Sequence, residues 1–224
     1  MPCGEPIATI WVRGGRSPHS SYNETSARLH SHLCPRQVLG VRMGLAGGAA
    51  LGMQLPRRDK ELLIIIETDG CFADGVVAAT GCTVGHRTLR VEDYGKVAVT
   101  FVNVESSRAV RLAPRSDVRQ RAHLYAPEQP RRYDAQLHGY QRMPDDELFV
   151  LQAVSLRTPV KHLVSRPGLR VNCHHCDEEI INQRELHREG KVLCAACAGQ
   201  AYYNTFERET LVSNLYLQLE HAAP

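Results

Sequence analysis

The longest apolar stretch of the chain, VLGVRMGLAGGAALGMQL from Val38 to Leu55, is interrupted by Arg42 and by glycines 40, 44, 47, 48 and 52. A membrane-spanning helix needs about 20 mostly apolar residues, so this stretch reads as a buried core helix. Pro35 suits its first turn, where a missing N–H costs nothing. The small residues predict close approach to a neighbouring element. Upstream, ETSARLHSHLCP from Glu24 reads as a short helix that breaks before Pro35. Downstream, LLIIIET (62–68) is a short, β-branched apolar run, the pattern of a fully buried strand. Asp69-Gly70 marks a turn, and ADGVVAAT (73–80) predicts a second helix ending at Gly81. KVAVTFVNV (96–104) and RAVRLA (108–113) have strand composition and flank Glu105-Ser106-Ser107, which predicts a hairpin. DVRQRAHLYA (117–126) and the region 134–142 read as helices divided by PEQPRR, and ELFVLQAVSL (147–156) leans toward a strand.

These elements divide the chain into a leader (1–23), a core domain (24–156), a linker (157–169) and a C-terminal module (170–224). A length of 224 residues suits one medium domain with a small appendage. Hydrophobic residues at 43% and charged residues at 23% are ordinary for a soluble protein. A formal net charge of +3 is too small to argue for nucleic acid. The arginines at 115, 119, 121, 131 and 132 read as a solvated face. The N-terminus lacks a basic start followed by a sustained apolar run, so no export signal and no membrane anchor are expected.

Cysteine spacing changes the picture most. Four of eight cysteines form Cys173-x2-Cys176 and, seventeen residues on, Cys194-x2-Cys197. That is the ligand spacing of a structural, all-thiolate zinc site. Such usage points to a reducing, cytoplasmic compartment. A polar helix after Cys194 is expected to complete the module. A second set lies at His30-x-His32-x-Cys34-Pro35. On an extended segment, residues two apart face the same side, which would converge two imidazoles and a thiol on one ion. Cys34 also precedes a helix, whose positive end favours thiolate. Nitrogen and sulfur donors together suit a transition metal, with zinc first in line. Cys71, directly after the buried strand, is a candidate further ligand. Asp69 or Asp74 is a candidate acid, base or partner for a ligating histidine. Cys82 reads equally as a core thiol.

With those residues in place, HSHLCPRQVLGVRMGLAG and ETDGCFADGVVAATGCTVGHRTLRVEDYGKVAVTF resemble the FmdE family of formylmethanofuran dehydrogenase proteins, and LCAACAGQAYY resembles the zinc finger that many members carry. The resemblance implies an α+β fold: a mostly antiparallel sheet with packed helices, plus a small treble-clef-like C-terminal zinc finger. It implies a homodimer. It carries over His30, His32 and Cys34 as a core metal and active-site motif, with Cys71, Asp74 and Cys82 at the following positions. Cys34, Cys71 and Asp74 are thereby the candidate catalytic residues. Two departures stand out: Arg36 where the family commonly has glycine, and His86 where it commonly has lysine. Arg36 places a cation at the rim of the site, there either to favour an anionic ligand or to reach solvent.

Two functions follow. One is a cytoplasmic metalloprotein with a core His/Cys transition-metal site and a structural zinc site, serving redox or one-carbon metabolism. The other is a non-catalytic metal carrier, or a regulatory module that meets a protein partner through the zinc finger.

Overall fold

A computed structural model of the chain describes residues 19–164 and 168–205. The chain divides into two compact units, Met1–Val164 and Ser165–Pro224. Among the described residues no helix is long and apolar enough to cross a membrane.

The first unit is built on a five-stranded sheet comprising β1 (Leu62–Ile66), β2 (Leu89–Val91), β3 (Val99–Asn103), β4 (Ala109–Pro114) and β5 (Phe149–Val154). Their order is β2-β1-β3-β4-β5. Only the β1–β2 pair is parallel. The α+β fold with a mostly antiparallel sheet is therefore present. Register explains the unbroken apolar run of β1. Leu62, Ile64 and Ile66 point to one face, and Ile64 stands beside Phe101 and, across the next pair, Val110 in the main core. Leu63 points to the other face, in line with Val102 and Ala109, where a smaller apolar cluster includes Val160.

Val160 belongs to a short helical turn, Val160–Leu163, within the segment expected as a linker. Its last carbonyl accepts a hydrogen bond from the Arg90 guanidinium. The turn is therefore part of the sheet's second cover, and the division between units falls after Val164.

The main core lies beneath helices α1 (Ser20–His30), α2 (Pro35–Leu51), α3 (Cys71–Thr80), α4 (Val118–Tyr125) and α5 (Arg132–Arg142), with α6 (Asp145–Leu148) leading into β5. The first helix takes in the last four residues of the expected leader. Close contact between α2 and α3 positions the site. A Cβ on Gly40 would lie 2.3 Å from the Phe72 carbonyl oxygen, and one on Gly75 would lie 2.2 Å from that of Gln37. One turn on, a Cβ on Gly44 would lie 2.6 Å from that of Ala79. These matched contacts make the helices run side by side in the same direction, so their N-termini meet. Arg42, nearly buried on α2, ties this pair to the rest of the unit. It donates to the Tyr140 carbonyl at 2.6 Å and to the Met143 carbonyl, and pairs with Asp145.

The second unit holds two short antiparallel hairpins, β6–β7 (Arg170–Asn172 with Glu179–Ile181) and β8–β9 (Leu186–Arg188 with Lys191–Leu193). A single helical turn, Ala196–Gln200, follows. The expected C-terminal helix falls largely on residues 206–224, outside the described residues.

Candidate metal centres and the core cavity

In the second unit each Cys-x2-Cys pair follows a strand: Cys173 and Cys176 lie in the β6–β7 turn, and Cys194 and Cys197 after β9. Their four sulfurs lie within 4.8 Å of one another, and those of Cys176 and Cys194 are 4.0 Å apart. Metal–sulfur bonds of about 2.3 Å in a tetrahedral site would place sulfurs about 3.8 Å apart. The cluster therefore fits a metal ion. Backbone amides already point at the sulfurs: Cys194 N–H donates to Cys173 Sγ at 3.3 Å, and Cys197 N–H donates to Cys194 Sγ at 3.3 Å. Amide donors, chiefly those of Cys176 and Cys194, draw the Cys173 thiol down to about 6. The crowd of neighbouring sulfurs, Cys194 first, pushes Cys197 up to about 12. Four thiols at this distance cannot all ionise without a cation among them.

In the first unit, the sequence motif is shaped by a helix end. His30 is the last residue of α1, and Ser31 adopts a left-handed conformation with φ of 63°. The segment is therefore not extended across His30 and His32, and the alternation expected from a strand does not apply. Cys34 caps α2, and its backbone N–H donates to Gln37 Oε1 at 2.7 Å. The fully buried Gln37 amide donates in turn to the Ser26 carbonyl at 2.9 Å, which fixes α1 to the start of α2. Cys71 opens α3 after Gly70, whose φ of 76° lets the chain turn sharply out of β1. Because α2 and α3 run together, the Cys71 thiol comes close enough to Cys34 for that thiol to influence its ionisation. Burial, then the contact with Cys34, pushes the Cys71 thiol up. The helix end alone does not make it a thiolate.

His32, Cys34 and Cys71 line one cavity of about 600 Å³. The His30 side chain lies outside the described residues, and Asp74, Cys82 and His86 lie outside the cavity lining. Asp74 sits half-buried in the first turn of α3 and does not line the cavity. Cys82 is fully buried, its sulfur 3.9 Å from the Leu62 carbonyl oxygen, and burial raises its pKa: it is a core thiol. His86 is exposed and bonds Thr83 Oγ1 at 3.0 Å. Among the described residues, the C-terminal quartet is the one group of three or more metal-ligating side chains gathered that closely. Residues that sequence reading missed close the cavity: Arg115, Arg119, Tyr133, Gln136 and Tyr140. They come from α4, α5 and the loop after β4. Their only sequence signal is the arginine run, read as a solvated face.

A model of the family described as "FmdE, Molybdenum formylmethanofuran dehydrogenase operon" matches residues 29–150. The chain belongs to the FmdE family. The matched region contains His30, His32, Cys34 and Cys71 together with the arginines of the cavity, and ends before the cysteine quartet. The fold is shared with a solved FmdE-like protein of tungsten formylmethanofuran dehydrogenase from Syntrophus aciditrophicus. That similarity has a TM-score of 0.53 at 21% identity and covers 83% of this chain and 95% of the other. A curated relative, a "Probable S-adenosyl-L-methionine-binding protein" from Archaeoglobus fulgidus, is 38% identical over 86 residues. The match takes in 37% of this FmdE-family chain and 24% of the relative, so the chain spans about a quarter of that protein's length.

Proposed function

We propose that this FmdE-family protein binds two metal ions. A structural zinc is held by Cys173, Cys176, Cys194 and Cys197. A second transition metal, zinc first in line, is held in the core by Cys34 and Cys71 with His32 and His30, and that site serves redox or one-carbon chemistry in the cytoplasm. The observation that carries the core reading is the contact of two thiols at the heads of parallel helices, facing a cavity that His32 also lines. Soft sulfur and imidazole donors without a carboxylate in the lining suit a transition metal. When bound, such an ion supplies Lewis acidity beside the cavity. Similarity to a probable S-adenosyl-L-methionine-binding protein supports the one-carbon setting. The test is the metal content of protein purified without added metal. Two equivalents per chain, with one lost in Cys34→Ser/Cys71→Ser, is the expected result; unchanged content in that variant overturns the core site.

A homodimer is part of the same proposal. It is supported by β5, an edge strand that presents Val150 and Leu151 at 40% and 51% exposure. Open apolar edges favour pairing with another strand. Sedimentation should give a dimer for the native chain and a monomer for Val150→Lys/Leu151→Glu; a native monomer rejects it.

A further inference from the structure

The core cavity carries more positive charge than a metal site needs. Arg36 from the first turn of α2, Arg115 from the loop after β4 and Arg119 from α4 all line it, and no aspartate or glutamate does. Several other arginines of the unit have carboxylate partners. Arg111 makes a bidentate pair with Glu67 at 2.6 and 2.7 Å, Arg121 pairs with Glu147, and Arg142 pairs with Glu128 at 2.6 Å. By contrast, among the described residues neither Arg36 nor Arg119 forms an ion pair, and Arg115 only reaches the Asp146 carbonyl at 3.5 Å. The heads of α2 and α3 also open into the cavity and add partial positive charge there. Three uncompensated guanidiniums around a concavity concentrate anions in it. Their planar forks match carboxylate and phosphate oxygens.

The rest of the lining sets the body of the ligand. Leu39, Val97 and Val118 are apolar, while Tyr133 and Tyr140 offer aromatic surface. At about 600 Å³ the cavity falls in the size range of small-molecule sites. We propose that this cavity binds a small organic dianion, a phosphate monoester or a dicarboxylate with an apolar or aromatic body, through Arg36, Arg115 and Arg119. This deepens the reading above by naming the ligand class of the site beside Cys34 and Cys71. The arginines hold the anion, and its binding is read separately from the metal content that tests the core site.

The test is calorimetric titration of the full chain with phenyl phosphate, with phthalate and with uncharged benzyl alcohol, at low and high salt. At least one dianion should bind, more weakly as salt rises, while benzyl alcohol does not. Which dianion binds tells the phosphate ester from the dicarboxylate. Arg36→Gln/Arg119→Gln should weaken binding at least about tenfold; both side chains are exposed, so the variant should keep its fold, as circular dichroism would verify. Arg131→Gln, outside the cavity lining, should bind as the native chain does. Absence of dianion binding at millimolar concentration, equal affinity in the double arginine variant, or equal binding of benzyl alcohol overturns the inference. None of those results bears on metal stoichiometry.

Discussion

Gly75→Ala probes the contact that brings the two core thiols together. In a helix interior this exchange normally stabilises by about 1 kcal/mol, through propensity. Here the added Cβ would sit 2.2 Å from the Gln37 carbonyl oxygen, 2.9 Å from Val41 N and 3.0 Å from Gln37 C. Ordinary contact begins near 3.4 Å, so α2 and α3 must part by about 1.2 Å at this point. All three neighbours are backbone atoms and cannot rotate away. Overpacking costs about 1–3 kcal/mol and occasionally more; with a backbone obstacle the upper end applies, leaving a net loss of about 2 kcal/mol after the propensity gain. Gly85→Ala is the control, because nothing lies within 4 Å of its added Cβ. Urea unfolding followed by circular dichroism would measure the effect. With a slope of about 2 kcal/mol per molar, the midpoint should fall by about 1 M for Gly75→Ala and stay in place for Gly85→Ala. Gln37 also anchors Cys34, so the parted helices should separate Cys34 from Cys71 and lower metal retention in the core. A Gly75→Ala protein as stable as the native one would refute the close-packing argument.

Other consequences follow from single contacts. Arg42→Met leaves two buried carbonyls and Asp145 without their donor, and should cost about 3 kcal/mol in the same unfolding assay; a loss below about 1 kcal/mol would show the network to be dispensable. His19 has its pKa lowered from the ordinary 6.5, first by burial and then by the Arg42 charge. The folded state therefore resists its protonation, so His19's contribution is intact above about pH 6.5 and is lost as pH falls toward the lowered value. His19→Gln should flatten the pH dependence of the unfolding midpoint between pH 7 and 5, and an unchanged slope counts against this. Removal of metal with a strong chelator should unfold the C-terminal unit, read as fast amide exchange over residues 170–200, because a module this small has little apolar core. Retained protection there would mean that the thiols do not bind the ion.

Much of the architecture was legible because its signals are local. The strand LLIIIET, the hairpin around Glu105-Ser106-Ser107 and the helix begun by Pro35 each rest on neighbouring residues. The cysteine quartet was legible because two Cys-x2-Cys pairs at that spacing have few other uses. What the sequence concealed depends on contacts distant along the chain. The three residues of β2 form a strand only by lying beside β1. Val160 reads as linker until Leu63 and Val102 are seen beneath it. The His30-x-His32 alternation failed because Ser31 takes the left-handed conformation that ends α1, a backbone choice that side-chain pattern does not reveal. Likewise, Arg115 and Arg119 belong to the cavity although they lie over forty residues from Cys71 in sequence. The glycines of α2 did carry a signal: they predicted close approach, and their partner proved to be α3.

The central claim is that Cys34 and Cys71 hold a metal ion beside the arginine-lined cavity. A crystal of the native protein, grown without added metal and measured on both sides of the zinc edge and of the iron edge, tests it directly. The account predicts two anomalous peaks per chain, one within the four C-terminal sulfurs and one bonded to the Cys34 and Cys71 sulfurs. A peak at the quartet alone, with Cys34 and Cys71 joined only to each other, would contradict it.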